Sequence, residues 1–316
     1  MSKYIDTGKK DTRSGFGAGL LEAGRKNPQV LALTADLKGS LKMDAFAAEF
    51  PDRFIQCGIA EANMVGAAAG LAIAGKIPFI GSFAEFVTGR VYDQLRQAVA
   101  YGKTNVKIAS SHAGVTLGED GATHQTMEDI ALMRAIPGMV VINAADYNQT
   151  KAATIAAAEH FGPVYLRFGR LAVPVFHEEG MPFRIGKGEL LRDGGDLAIL
   201  ATGLMSYEAL KAAEALKEKG VDARVINLCT IKPLDEELVL KAAAECGRVI
   251  TCEEHSVIGG LGEAVCALLS ERCPTPVRRI GVQDEFGHSG PAAALLEQFG
   301  LCAAHIVEVA RELCGV

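Results

Sequence analysis

One carboxylate and two aromatic rings form the first group of residues in this chain that could do chemistry. Glu61 lies in Gly58-Ile59-Ala60-Glu61-Ala62-Asn63-Met64, and two rings follow in Phe83-Ala84-Glu85-Phe86. A glutamate in the opening turn of a helix is favoured by unpaired backbone N–H groups and by the helix dipole. Alone it reads as a local cap, and two phenylalanines alone read as core. Together they could hold an aminopyrimidine ring, with the rings excluding water and the carboxyl group exchanging a proton with it. Farther on, the Gly-rich run Ser111-His112-Ala113-Gly114-Val115-Thr116-Leu117-Gly118-Glu119-Asp120-Gly121-Ala122-Thr123-His124-Gln125 adds two imidazoles and two carboxylates.

Short apolar runs alternate with amphipathic stretches throughout, the βαβ signature of an α/β fold. The pattern predicts strands at Val30–Thr34, Ile77–Ser82, Val106–Ser110, Met139–Asn143 and Val164–Arg167. Helices are predicted over Ser14–Lys26, Glu61–Ala74, Val91–Ala100 and Tyr147–His160. Around Pro174–Phe183 the pattern lapses into a linker. A second α/β unit follows, with strands at Leu197–Ala201, Ala223–Asn227, Val249–Glu253 and Val277–Gly281. The expected architecture is two successive Rossmann-like domains with mainly parallel sheets, residues 1–180 and 181–316. Ligands of such sheets sit beyond the carboxyl ends of the strands. Asp36, Glu61, Phe83, Phe86, His112, Asp120 and His124 all fall at or just after such ends. Gly66 to Gly70, with almost no side-chain bulk, suits close backbone packing, on its own sheet or across a subunit interface.

A net charge of −6 argues against nucleic-acid or anionic-membrane partners. The first residues, Met1 to Asp6, lack the apolar core of a signal peptide. No apolar segment is expected to reach the ~18 residues of a membrane span. A cytoplasmic location is the expectation. None of the eight cysteines forms a C-x-x-C pair, so no structural metal site is expected, and buried thiols are.

The motifs resemble the pyrimidine-binding half of transketolase. Gly58, Glu61 and Met64 match its G-x-x-E-x-x-M setting, and Ser82-Phe83 with Phe86 its T/S-F-x-x-F segment. The run from His112 to Gln125 looks like its H-D-S-I-G-L-G-E-D-G-P-T-H-Q loop, with Ala122 replacing the usual proline. The resemblance implies thiamine diphosphate as cofactor. Glu61 would face N1′ of the aminopyrimidine, stabilising the imino tautomer that takes a proton from the thiazolium. Phe83 and Phe86 would wall the ring, with Asp36 near the cofactor. Sugar phosphate substrates would meet His112 at the phosphate, Asp120 at a hydroxyl and His124 at the reaction centre. Arg13, Ser40 and Arg170 also match family positions; with His112 they would clamp a phosphate dianion, since arginine binds it bidentately. Surface salt-bridging is the plain alternative for each arginine. Many relatives carry a further aromatic where this chain has Gly89, which implies a more open pocket or one filled by another chain.

The family's diphosphate half has no counterpart. No Gly-Asp-Gly occurs, and Gly195-Asp196-Leu197 with Asn227 is blocked by the leucine. Gly259-Gly260-Leu261-Gly262 is weak as a dinucleotide signature. The resemblance therefore implies the C-terminal subunit of a split, heteromeric transketolase, moving a two-carbon ketol unit between sugar phosphates. A separate N-terminal subunit would ligate Mg²⁺ and the diphosphate in an α₂β₂ heterotetramer. His255 and His288 lie in segments that resemble the family's third domain, where support of assembly is expected. Three readings compete. One is a 1-deoxyxylulose-5-phosphate synthase-like chain, whose aromatic-D-Q helix Tyr92-Asp93-Gln94 resembles. The others are a 2-oxo acid dehydrogenase beta subunit and a non-catalytic assembly subunit.

Overall fold

In this computed structural model, residues 8–316 are described; the segment Met1 to Asp6 lies outside them. Strands along the first unit are β1 (Lys9–Asp11), β2 (Val30–Thr34), β3 (Phe54–Gln56), β4 (Ile77–Phe83), β5 (Lys107–Ser111), β6 (Val140–Asn143), β7 (Val164–Arg167) and β8 (Ala172–Pro174). The rest of the chain supplies β9 (Glu189–Arg192), β10 (Leu197–Ala201), β11 (Ala223–Asn227), β12 (Thr230–Lys232), β13 (Val249–Ser256) and β14 (Val277–Val282). The α/β expectation holds: both main sheets are mainly parallel and carry helices on their faces.

The first sheet has the order β12-β6-β7-β5-β4-β2-β3. Its apolar runs are buried over their whole length in β2, β5, β6 and β7, as parallel strands covered on both faces must be. One member comes from the other half of the chain. β12 pairs antiparallel with β6, Thr230 opposite Ile142 and Lys232 opposite Val141. The second sheet runs β14-β13-β10-β11-β9, with only the edge strand β9 antiparallel. A single buried apolar cluster extends from Leu33, Ile80 and Val141 in the first sheet to Leu200, Ile226 and Val249 in the second.

Helices Thr12–Lys26 and Tyr147–Glu159 pack closely on the other face of the first sheet. A Cβ on Gly15 would lie 2.3 Å from the Tyr147 carbonyl oxygen, so glycine is required by the approach of the two backbones. The helix predicted over Val91–Ala100 is α-helical only at Tyr92–Gln94 and continues as a π-helical segment, Leu95–Tyr101. The expectation about membrane-span length is corrected at Ala292–Cys314, 23 residues with the required length and composition. It is built as two helices, Ala292–Gln298 and Ala303–Cys314, separated by Gly300 at φ 68°. Ile306 and Ala310 of the second are buried in the core of the second unit.

Polar bonds bolt the two units together at the carboxyl end of β7. Arg167 and Asp129 are both buried, with Arg167 Nε 2.7 Å from Asp129 Oδ2. The Tyr165 hydroxyl donates to the same oxygen at 2.6 Å, and Arg167 Nη2 reaches the Glu254 carbonyl in the second unit at 2.8 Å. Burial opposes the charge on both groups, yet the pairing holds Asp129 below and Arg167 above their ordinary ranges. Arg134 bonds the Gly259 and Gly260 carbonyls, and Ser256 N–H donates to Met127 at 2.7 Å. Asp129→Asn should leave Arg167 buried without a counter-charge, at a cost of about 3–5 kcal/mol. A urea titration of the whole chain should read this as a lower midpoint; an unchanged midpoint would contradict the bolt.

Candidate active site

The carboxyl ends of β2, β4 and β5 lie side by side, since β2 pairs with β4 and β4 with β5 in parallel register. Residues distant in sequence thereby converge. Glu61 opens helix Glu61–Ile73 and is 3% exposed. Ser82, near the end of β4, donates its hydroxyl to Glu61 Oε1 at 3.2 Å, and Arg90 Nη1 donates to Oε2 at 3.0 Å. Phe83 ends β4 and Phe86 lies one turn into helix Ala84–Thr88, which puts their rings 6.0 Å apart and 19° from parallel.

The imidazoles complete the aromatic group. The His112 ring stacks on Phe83 at 4.0 Å, and the His124 ring meets Phe86 edge-on at 5.3 Å. His112 follows β5 at φ 60°, and Asp36 follows β2 at φ 62°. Both are non-glycine residues held in the left-handed region, a strain that clusters where side chains must be aimed. Gly114 is the neighbouring position at which a side chain is impossible. Its φ is 82°, and a Cβ there would lie 2.3 Å from the Glu254 carboxyl group. Glu254 in turn accepts the Thr116 N–H at 2.8 Å, so the second unit shapes the loop.

Arg13 reaches His112 from helix Thr12–Lys26. Asp11 caps that helix by accepting the Ser14 N–H at 2.9 Å and also holds Arg13 Nε at 3.2 Å. Arg13 Nη1 lies 3.2 Å from the Ser40 carbonyl oxygen and 3.4 Å from His112 Nε2. A guanidinium only donates, so Nε2 is the acceptor and Nδ1–H donates to Ser111 Oγ at 2.7 Å. Burial, with Arg13 and Arg170 adding positive charge, pushes the His112 pKa down to about 3. It is a neutral imidazole with a defined tautomer.

The predicted residues thus assemble in three connected groups: Glu61 with Phe83 and Phe86; His112 and His124 against those rings; and Arg13 with Ser40 and His112. Arg170 joins Asp120 instead, 3.9 Å from its carboxylate and 3.7 Å from Glu119, while donating to the Leu117 carbonyl at 3.1 Å. Asp36 stands apart. It is exposed, and among the described residues no hydrogen bond or ion pair joins its carboxylate to the others. His255 is fully buried and pushed down to about 4 by burial; its Nε2 accepts the Ala131 N–H at 3.3 Å. The His288 carbonyl accepts Gln125 Nε2 at 3.1 Å. His288 braces the loop, and His255 the helix that follows it, both from outside the ring cluster. Among the described residues no group of three or more His, Cys, Asp or Glu is placed to hold a metal.

Sequence reasoning placed Ser82 in a motif without giving it a role and missed Arg90. Ser82 was discoverable as the polar residue just before Phe83, near the carboxyl end of a parallel strand. Arg90 carries no motif, but it follows the anomalous Gly89, and its guanidinium covers the Phe86 ring at 4.2 Å. At Gly89 itself, a Cβ would lie 3.4 Å from the Glu85 carboxylate.

Residues 8–175 match the family model of the transketolase pyrimidine binding domain, and residues 186–306 that of the transketolase C-terminal domain. A transketolase C-terminal section from Methanocaldococcus jannaschii is 50% identical over 295 residues, covering 92% of this chain and 92% of its own. A 6-deoxy-6-sulfo-D-fructose transketolase subunit from Clostridium sp. is 48% identical, covering 93% of this chain and 91% of its own. Among solved structures, a split gene transketolase in the form of an inactive beta4 tetramer has a TM-score of 0.90 and 45% identity, over 98% of this chain and 99% of that one.

The depressed His112 value has a readable sign. Between the ordinary 6.5 and about 3 the unfolded chain takes up a proton that the folded chain refuses, so stability falls as pH drops through that window. The His112 ring signals in NMR should stay constant from about pH 8 to 5. Titration of this ring near its ordinary value in the folded chain would overturn the assignment.

Proposed function

Because the chain belongs to the transketolase family, with split-enzyme C-terminal sections among its relatives, we propose that it is the C-terminal subunit of a two-chain ketol transferase. The family is thiamine diphosphate dependent. When bound, that cofactor supplies the nucleophile that attacks a ketose carbonyl. The observation that carries the reading is a carboxylate 3% exposed at a helix start, beside two rings 19° from parallel.

These residues fit the aminopyrimidine half of the cofactor. Glu61 would hydrogen-bond the ring nitrogen and hold or return a proton there. Phe83 and Phe86 would bracket the ring and exclude water, each aromatic contact contributing about 0.5–1.5 kcal/mol beyond area burial. The residues do not fit the other half, since no carboxylate cluster is present to hold Mg²⁺ among the described residues. We assign the metal and the diphosphate to an N-terminal partner subunit. Support comes from the relatives, one being a section and one a subunit, and from the similar chain whose beta4 form is inactive. An α₂β₂ heterotetramer is the proposed assembly, with the region up to about residue 180 carrying the ring site and the remainder bracing it.

For the substrate, Arg13 and Arg170 supply cations for a terminal phosphate, and His112 would act beside it by orienting the Arg13 guanidinium through Nε2. Ser40 lies within this clamp. Asp120 would accept a substrate hydroxyl, and His124, edge-on to Phe86, would face the reacting carbonyl. Asp36 is proposed to approach the cofactor only in the assembled complex. We propose sugar phosphates as donor and acceptor.

The test mixes the purified chain with its N-terminal partner, thiamine diphosphate, Mg²⁺ and a ketose phosphate–aldose phosphate pair. Glu61→Gln should lower ketol transfer by about 10²–10⁴-fold while leaving the assembled mass unchanged. Parent-like turnover by that variant would refute the role of Glu61.

A further inference from the structure

Arg90 has no part in the roles assigned above, yet it makes two contacts at the centre of the site. Its planar guanidinium donates to Glu61 Oε2 at 3.0 Å. It also lies over the face of Phe86, 4.2 Å from the ring centroid. The Glu61 carboxyl group as hydrogen-bond partner and the face of Phe86 are the same two contacts that an aminopyrimidine would require. Two planar groups cannot both use them. Resting on the reading of Glu61 and Phe86 given above, we infer that Arg90 is a placeholder for the cofactor ring: it sits in the ring's seat and must swing out before the ring can enter.

The surroundings suit such a role. Glu61 is almost wholly buried, and a buried carboxylate without a partner is strongly disfavoured, so the site needs a donor at all times. Arg90 is held at one end only. Its side chain is 49% exposed, and an ion pair with so accessible a partner is weak, which makes displacement easy. Arginine suits the seat better than lysine would, because only the guanidinium is flat enough to lie on a ring while donating sideways.

The test uses the whole chain and the cofactor ring alone, 4-amino-5-hydroxymethyl-2-methylpyrimidine, which has no diphosphate. Ligand-detected NMR and calorimetry give its affinity for the parent, Arg90→Ala, Arg90→Lys and the double variant Arg90→Ala/Phe86→Ala. Removing the competitor should tighten binding about tenfold, the combined worth of one accessible ion pair and one cation–π contact. Arg90→Lys should fall between parent and Arg90→Ala, because an ammonium keeps the pair with Glu61 but leaves the ring free. The double variant should lose the gain. If Arg90→Ala binds no more tightly than the parent while binding still depends on Phe86, the placeholder is overturned and the reading of the site stands. If no variant with a parent-like circular dichroism spectrum binds the ring through Phe86, the reading of the site fails and the inference with it.

Discussion

Arg167 and Asp129 are charges taken out of water, and such a pair persists only where good geometry and further hydrogen bonds satisfy both groups. Here both conditions are met by residues that also build the site. Tyr165 donates to Asp129 from two positions earlier in β7, and Arg167 Nη2 donates to the Glu254 carbonyl as well as to Asp129. The Glu254 side chain holds the Thr116 N–H, and Asp129 opens the helix that follows the loop. The segment from His112 to Gln125 is therefore suspended between the carboxyl end of β7 and the second unit. Its two imidazoles reach the rings of Phe83 and Phe86 from a fixed frame.

Burial and neighbours together decide which groups carry charge. His112 and His177 are both buried, at 4% and 6% exposure. Burial, reinforced by the guanidiniums of Arg13 and Arg170, holds His112 neutral. His177 lies 3.0 Å from Asp146 and 3.0 Å from Glu189, whose carboxylates outweigh the burial that opposes its charge and push it up to about 9. The neutral histidine stands at the ring cluster, and the charged one clasps the linker to the cap of helix Tyr147–Glu159 and to β9. Glu253 is the opposite case: burial pushes it up to about 7 and outweighs the Leu261 and Gly262 N–H groups at a helix start, which work the other way.

The sequence was most legible where structure is local. The runs at Val30–Thr34, Val164–Arg167, Leu197–Ala201 and Ala223–Asn227 coincide with β2, β7, β10 and β11 because strands buried on both faces read as unbroken apolar stretches. The convergence of Glu61, Phe83, Phe86 and His112 was legible because neighbouring parallel strands deliver their carboxyl ends to one edge. Three-residue strands such as β3 and β12 have no period to detect, and their partners lie far away in sequence. A lone Asp129 and a lone Arg167 carry no signal that they will meet. Arg90 was hidden for another reason. What a long flexible side chain touches is a matter of rotamer, which is not written in a motif.

The crossing of β12 into the first sheet limits how this fold can be recombined. β6 would become an open edge if the polypeptide were severed between the units, and an exposed strand edge invites pairing with foreign chains. The Asn143 N–H, bonded to the Cys229 carbonyl at 2.8 Å, would lose its acceptor at the same cut. Gene fission or domain shuffling in this architecture is thus physically steered away from the joint between these two units. A chimera that swaps the second unit must bring a compatible Thr230–Lys232 segment with it, or inherit an aggregation-prone flank.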